Sequence, residues 1–289
     1  VDPRNSYQCN LPSGKSIVLF FYDGIIAQDV AFNGMLKDGA KFAERLISTL
    51  DDNDVPQLAH IATDGETYGH HHHHGDMALA YCLRHLINSG QAELTIYGEY
   101  LDKHSPEYEV EIFENSSWSC AHGVERWRSD CGCQTGGHPG WNQSWRAPLR
   151  NAMDWLRDNL SELYEDYASK LLKDPWRARE EYIEIILDRK EDNIANFLDK
   201  HALKKLSKDE MIHAFKLIEM QRHALLMFTS CAWFFNEISG IETVQVIQYA
   251  ARAIQLTKET TGMEFENGYI EILSLAPSNI KSIKHGGNV

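Results

Sequence analysis

The sequence has few of the features that mark disulfide scaffolds, membrane proteins and nucleic-acid binders. It contains only six cysteines in 289 residues, which is too few for a disulfide framework. No apolar run approaches the ~20 residues that a membrane-spanning helix needs. Acidic residues outnumber basic ones by 42 to 28, and the net charge of −14 would repel a polyanion. We therefore expect no nucleic-acid partner, no membrane partner and a reducing, cytoplasmic location.

The remaining composition is typical of a globular protein. Hydrophobic residues make up 43% of the chain and charged residues 24%, and a chain of this length can form one or two domains. The first residues contain neither an initiator methionine nor a signal-peptide pattern. We expect the chain to be part of a longer polypeptide.

Strand-like and helix-like patterns alternate over the first 114 residues. Residues 16–22 form a nearly continuous apolar run, which suits a strand buried on both faces. The alternation predicts βα units on a parallel sheet, with too few strands for the usual barrel of about eight. We expect part of a barrel whose other strands lie outside this chain. The predicted strands are residues 16–22, 58–62, 94–97 and 108–113, and the predicted helices are residues 27–50 and 76–88.

Residues 115–146 break this alternation, and we call them the tryptophan-rich loop. They show little periodicity, and a loop of this length in a compact domain is usually functional or disordered. Disorder is not expected here, because disordered segments are poor in aromatic residues. Four of the seven tryptophans lie in this loop: Trp118, Trp127, Trp141 and Trp145.

Residues 147–289 have helical patterns throughout. Ser207-x-x-Glu210 and Ser239-x-x-Glu242 both fit the capping box, in which a hydroxyl and a carboxylate satisfy free amides at the start of a helix. The predicted organisation is a barrel segment over residues 1–114, an active-site loop over 115–146 and a helical bundle over 147–289.

Ionisable groups are concentrated at the predicted strand-to-helix turn within residues 58–81. Asp64 and Glu66 follow the apolar run, and five histidines at 70–74 precede the helix. In α/β folds such loops often carry the chemistry, because the sheet holds them while their side chains stay accessible. The alternative is that the carboxylates only form the turn and the histidines are a solvated run.

Glycoside hydrolysis fits these carboxylates. It needs one carboxyl group to protonate the leaving oxygen and a second to act as nucleophile or base, and Asp64 is the candidate acid. Sugars also stack on aromatic rings while polar side chains bond their hydroxyls. The other candidates are the acids Asp23, Glu66, Glu125 and Asp130, with Trp118, His122, Arg126 and Trp127 as a sugar-binding group. Trp141 and Trp145 are equally well explained by core packing.

Two groups of residues leave a metal site open. The histidines at 70–74 could act with Asp64, although adjacent histidines cannot all face one ion. Cys120, Cys131 and Cys133 could act with His122 or His138, although a C-x-C spacing is unusual for structural zinc. We assign no metal ligand and no cofactor from the sequence.

The segment ATDGETYGHHH resembles the fourth conserved region of glycoside hydrolase family 57, in which the aspartate is the general acid. Four further segments resemble an uncharacterised bacterial branch of that family, in which a barrel continues into a domain of unknown function. They are FFYDGIIAQDVAF, ENSSWSCAHGVERWRSDCGC, LIEMQRHALLMFTSCAWFF and SGIETVQVIQYAARAIQL.

The resemblance implies an incomplete (β/α)7 barrel followed by a helical bundle, and retaining hydrolysis or transfer on α-glucans. By position, Asp64 would be the general acid/base, and the tryptophan-rich loop would border the glucan. The substrate-binding residues that we expect are Asp23, Glu66, His70, His71, Trp118, His122, Glu125, Arg126, Trp127 and Asp130.

The family nucleophile lies on an earlier barrel strand that this chain does not contain. We therefore expect the chain to be inactive alone, because retaining enzymes hold their two carboxyl groups about 5–5.5 Å apart. The expected partners are an α-glucan and the N-terminal half of the barrel. The alternatives are a metal-dependent hydrolase or deacetylase of the related barrel superfamily, and a non-catalytic carbohydrate-binding protein.

Overall fold

The chain folds into two units in the computed structural model, which describes all residues 1–289. The first unit is Val1–Glu114 and the second is Asn115–Val289. The first unit contains strands β1 (Ser6–Asn10), β2 (Ser16–Phe20) and β3 (Tyr108–Glu109) and helices α1 (Gly24–Ala31), α2 (Gly39–Ile47), α3 (Gly75–Ser89) and α4 (Tyr97–Lys103).

The only sheet is small and has the strand order β2-β1-β3. β1 pairs with β3 in parallel, with Tyr7 opposite Tyr108, but it pairs with β2 antiparallel. The expectation of an all-parallel sheet is therefore wrong. The reason is a tight turn between β1 and β2, where Gly14 adopts a φ of +79° and the Leu11 amide donates to the Lys15 carbonyl at 2.8 Å.

Four other predicted elements differ from the structure. The strand predicted at 108–113 is only two residues long, as β3. Residues 58–62 form no strand. They make only single backbone hydrogen bonds to other segments, such as the bond from the amide of Asp23 to the carbonyl of His60 at 3.0 Å. The predicted strand at 94–97 is also absent, and α4 begins at Tyr97. The predicted long helix is broken at Gly34, whose φ is +76°, and it restarts as α2.

The core of the first unit lies where α2 packs along α3. Ile26, Val30, Phe42, Cys82 and Leu86 are buried there. Large apolar side chains elsewhere in this unit remain open to solvent, and these include Ile25, Phe32, Met77, Ile87 and Ile96.

The second unit is helical outside its N-terminal loop. Its elements are α5 (Arg146–Ala168), α6 (Pro175–Glu181), α7 (Ile183–Leu187), α8 (Glu191–His201), α9 (Lys208–Leu226), α10 (Cys231–Phe234), α11 (Ile241–Thr261) and α12 (Glu266–Leu273). No helix in the structure is both long enough and apolar enough to cross a membrane.

A stripe along α5 forms the centre of the second unit. Leu149, Met153, Leu156, Leu160 and Tyr164 follow the three- and four-residue spacing of one helix face, and all five are fully buried. Burial of each such side chain stabilises the fold by roughly 1.5–3 kcal/mol. The stripe packs against α9 and α12, and α9 packs along α11.

One of the two predicted capping boxes forms. Ser207 and Glu210 exchange both bonds at the start of α9, as predicted. The prediction for Ser239 is wrong, because Gly240 is the N-cap of α11. The Ser239 hydroxyl lies instead 3.3 Å from a carboxylate oxygen of Glu237, to which it donates.

Candidate functional site

The segment that carries Asp64 is a series of tight turns, which we call the histidine turn (residues 63–75). A 3₁₀ turn at Gly65–Thr67 follows Asp64, and the amides of His70 and His71 both donate to the carbonyl of Glu66. The histidines therefore lie on turns, and α3 begins only at Gly75.

The side chains of Asp64 and Glu66 are exposed and form no hydrogen bond or ion pair. A general acid must come within hydrogen-bonding distance of the substrate oxygen that it protonates. Both carboxyl groups are free to do this.

Contacts below the histidine turn fix its shape. The Thr63 hydroxyl donates to the Tyr68 hydroxyl at 3.0 Å, and His72 Nε2 donates to the Ala31 carbonyl at 2.8 Å. Gly75 packs so closely that an added Cβ would lie 3.0 Å from Leu36 Cδ1 and 3.2 Å from the carbonyl oxygen of Thr67. The turn is thus supported by packing while its two carboxylates stay unpaired.

The other candidate site residues of the first unit are His70, His71 and Asp23, and they lie in different local environments. His70 and His71 are exposed, with ring centroids 5.0 Å apart. Asp23 caps α1, and its carboxylate accepts hydrogen bonds from the amides of Ile25 and Ile26 at 3.0 Å. The histidines at 70–74 do not gather with Asp64 into a group of converging metal donors.

Most polar candidates in the tryptophan-rich loop are engaged within the second unit. Glu125 accepts hydrogen bonds from Arg128 and Ser129, and the first of these contributes most to holding the pKa of its carboxyl below the ordinary value. Asp130 accepts a hydrogen bond from the amide of Gln143 at 3.0 Å. These carboxylates hold the loop in shape.

Arg126 and Trp127 are also engaged. Arg126 is buried, with its guanidinium 4.4 Å from the centre of the Phe234 ring. Trp127 packs on the helical core, and its indole nitrogen donates to the Ser230 carbonyl at 3.1 Å. Both residues attach the loop to the helices.

The other tryptophans of the loop divide by exposure. Trp118 is 83% exposed, whereas Trp145 is fully buried. Trp141 stacks on His138 with ring centroids 3.9 Å apart. Trp118 is therefore the loop tryptophan with the ring face most open to a ligand.

Four side chains of this loop converge, and we call them the cysteine cluster: Cys120, His122, Cys131 and Cys133. One donor atom from each lies within 4.8 Å of the others. Burial tends to raise the pKa of the Cys120 thiol, but hydrogen bonds from the backbone at His122 and Arg126 and from the other two thiols lower it to about 7.

Glycines allow the loop to bring the cysteine cluster together. Gly132, between Cys131 and Cys133, has a φ of +77°, and Gly123 has a φ of +79°. A Cβ at Gly123 would lie only 2.3 Å from the Asn115 carbonyl oxygen. The short C-x-C spacing argues against a metal site at the level of sequence. The structure brings the side chains together because glycines adopt left-handed backbone conformations, which the spacing does not reveal.

The helical part of the second unit matches a known family. Residues 141–289, just over half of the chain, match a domain of unknown function, DUF3536. This chain belongs to the DUF3536 family. The matched DUF3536 region includes every helix of the second unit, whereas the histidine turn and the cysteine cluster precede it.

One solved structure extends the comparison beyond the DUF3536 region. An exo-type maltose-forming amylase from Pyrococcus sp. ST04 is similar in structure, with a TM-score of 0.66 and 17% sequence identity. The match covers 94% of this chain and 51% of the amylase, so the DUF3536 chain spans about half of that enzyme's length. At this identity the match shows a shared fold. The search of curated proteins found no match.

Proposed function

We propose that this DUF3536 chain is part of a retaining glycoside hydrolase or glucanotransferase of the family 57 type, acting on α-glucans with Asp64 as general acid/base. The observation that carries the proposal is the exposed, unpaired carboxylate of Asp64 on a rigidly supported turn. The fold shared with an amylase supports the reaction class.

In this mechanism Asp64 protonates the glycosidic oxygen and later removes a proton from the attacking hydroxyl. A second carboxylate, about 5–5.5 Å away, attacks the sugar and forms the covalent intermediate. In the proposal, Glu66 and His70, also exposed on the histidine turn, bond sugar hydroxyls. Within the second unit, Trp118 offers an open ring as a separate stacking surface for a sugar.

We propose that the second carboxylate belongs to the other half of the barrel. Ile25, Phe32 and Ile96 of the first unit are exposed by 68%, 80% and 73%. Large apolar side chains that are exposed in one part of a protein are often covered by another polypeptide segment. In the proposal, this segment is the barrel half that precedes the present sequence.

The proposal changes the role of some candidates from substrate binding to support. Asp23, Glu125, Arg126, Trp127 and Asp130 already have partners within their own units. These contacts already give each side chain a structural role. We assign these five side chains to holding the helix cap and the loop.

The deciding experiment is an assay of the longer parent polypeptide on a panel of α-glucans. Asp64→Asn should lower kcat/KM by about 10²–10⁴-fold, because general acid–base catalysis is lost. Asp76→Asn is the matched control, since this exposed carboxylate lies in the first turn of α3, and it should leave the rate unchanged. Binding without cleavage would overturn the proposal and favour a carbohydrate-binding protein, and equal rates for Asp64→Asn and wild type would refute the role of Asp64.

A further inference from the structure

The cysteine cluster has the dimensions of a tetrahedral zinc site. The Cys120 sulfur lies 3.9 Å from that of Cys131 and 3.7 Å from that of Cys133, and the Cys133 sulfur lies 3.6 Å from His122 Nδ1. Zinc–ligand bonds at tetrahedral angles place two sulfurs roughly 3.8 Å apart and a sulfur and a nitrogen about 3.6 Å apart. A disulfide would require sulfurs only about 2.05 Å apart.

We propose that these four side chains bind one structural Zn²⁺ ion, through three sulfurs and His122 Nδ1. The protein fills all four positions, which is the arrangement of a structural site and leaves no position for substrate. On binding, each thiol loses its proton to solvent and the three sulfurs bind as thiolates. His138 is not a ligand, because it does not belong to the group of converging donor atoms; it stacks on Trp141 instead.

The charges around the cluster support a bound metal–thiolate centre. Arg146 is fully buried, Arg126 is 4% exposed, and neither forms an ion pair. Arg146 Nη1 lies 3.9 Å from the Cys131 sulfur and donates to the Cys133 carbonyl at 2.9 Å. A buried cation without a counter-charge is unfavourable. Three thiolates around a divalent ion leave a single net negative charge beside these arginines.

The donor set selects among metals. Sulfur and imidazole donors favour zinc over magnesium or calcium, which prefer oxygen. The site would join the segment around Cys120 to the segment around Cys131 across a loop whose only helical element is one 3₁₀ turn at Glu125–Trp127. Such a cross-link would order the loop independently of the proposed glycosidase chemistry in the first unit.

The test begins with the wild-type chain, purified without a tag under reducing conditions and without chelator. We expect one zinc ion per chain. After chelation and loading with Co²⁺, the protein should show a strong thiolate-to-cobalt charge-transfer band, which the histidines at 70–74 cannot produce. Removal of the metal should speed amide hydrogen exchange in residues 115–146 and leave α5 protected.

Matched variants locate the ligands. Cys133→Ser should weaken the cobalt band by roughly one third, since one of three thiolates is lost. His122→Ala should retain the band but bind the metal more than ~10-fold more weakly. His138→Ala and Cys231→Ser are the controls, because neither residue lies in the cluster, and both should match wild type.

Three results would overturn the proposal. The first is the absence of a thiolate–cobalt band in folded wild-type protein, which decides the question even where a variant fails to fold. The second is a control variant that loses metal as the ligand variants do. The third is a disulfide among Cys120, Cys131 and Cys133 in protein handled without oxidant.

Discussion

The histidine turn and the tryptophan-rich loop each contain two acidic residues, but they use these side chains differently. On the histidine turn, Asp64 and Glu66 have no partner, and neighbouring packing fixes the backbone. In the tryptophan-rich loop, Glu125 and Asp130 bond to their own loop. The sequence alone makes all four carboxylates candidates for catalysis or binding. The structure distinguishes them, because an unpaired carboxylate is available as a general acid, whereas a hydrogen-bonded one stabilises its own loop.

The largest expected effect comes from the tryptophan that attaches the loop. Trp127→Ala should lower the free energy of unfolding by about 3 kcal/mol, because packing on the core and the bond to Ser230 are lost. Trp118→Ala, at an 83% exposed position, should change it by less than ~0.5 kcal/mol. Urea unfolding measures the free energy of unfolding of both variants. Equal losses would show that Trp127 stabilises the fold no more than the exposed Trp118 does.

Arg146 tests whether buried charge stabilises the loop. Arg146→Met leaves the carbonyls of Cys133 and Phe235 without a donor, so the free energy of unfolding should fall by about 2 kcal/mol. Arg128→Met removes an exposed ion pair with Glu125 and should cost less than ~1 kcal/mol. If Arg146→Met were the more stable of the two variants in urea, the loop would not depend on this buried side chain.

A pair of glycines tests the packing below the histidine turn. Gly75→Ala places a methyl group against Leu36 and Thr67 and should destabilise the protein by about 1 kcal/mol. Gly65→Ala meets no atom within 4 Å and should lie within ~0.5 kcal/mol of wild type. Thermal unfolding of both variants gives the comparison, and a neutral Gly75→Ala would mean that the turn is not tightly packed.

The smallest effect is a pH dependence at Glu125. The Arg128 hydrogen bond, followed by that of Ser129, holds the pKa of this carboxyl below its ordinary value of 4.5. Its contribution to stability is therefore complete above about pH 4.5 and is lost as the pH falls through the lowered pKa. When Tm is measured as a function of pH, Glu125→Gln should show a smaller fall in Tm below about pH 4.5 than wild type.

Asp64→Asn is the matched control for that titration, because the Asp64 carboxylate has no bonding partner in the structure. This variant keeps Glu125 and Arg128 and should therefore keep the loss of Tm in acid that depends on them. If the Tm of Glu125→Gln still falls at low pH as it does in wild type, other groups cause the pH dependence.

Local sequence signals predict the fold best where the structure depends on neighbouring residues in the chain. The run at 16–22 forms a strand, β2, but only over Ser16–Phe20 and without the expected burial on both faces, whereas the pattern at 76–88 forms α3. Ser207 caps α9 as predicted. Ser239 has the same motif, but its hydroxyl donates to Glu237, two residues earlier in the chain. Residues 58–62 have strand composition without neighbouring strands to pair with.

The candidate site was predictable only in part. The position of Asp64 after an apolar run indicated a carboxylate at a turn, and the structure places it on one. The partners of Arg126 and Trp127 are Phe234 and Ser230, which are more than 100 residues away in sequence. No local pattern indicates such contacts. The cysteine cluster depends on left-handed glycines, which spacing rules do not represent.

The pairing of β1 with β3 has a consequence for synthesis on the ribosome. Tyr7 and Tyr108 are neighbours in the sheet, so β1 has to wait until roughly 100 further residues have emerged. At ~5–20 residues per second, this delay lasts roughly 5–20 seconds. During that time the edge of β1 that later pairs with β3 is unpaired, and a chaperone that acts on nascent chains could bind there.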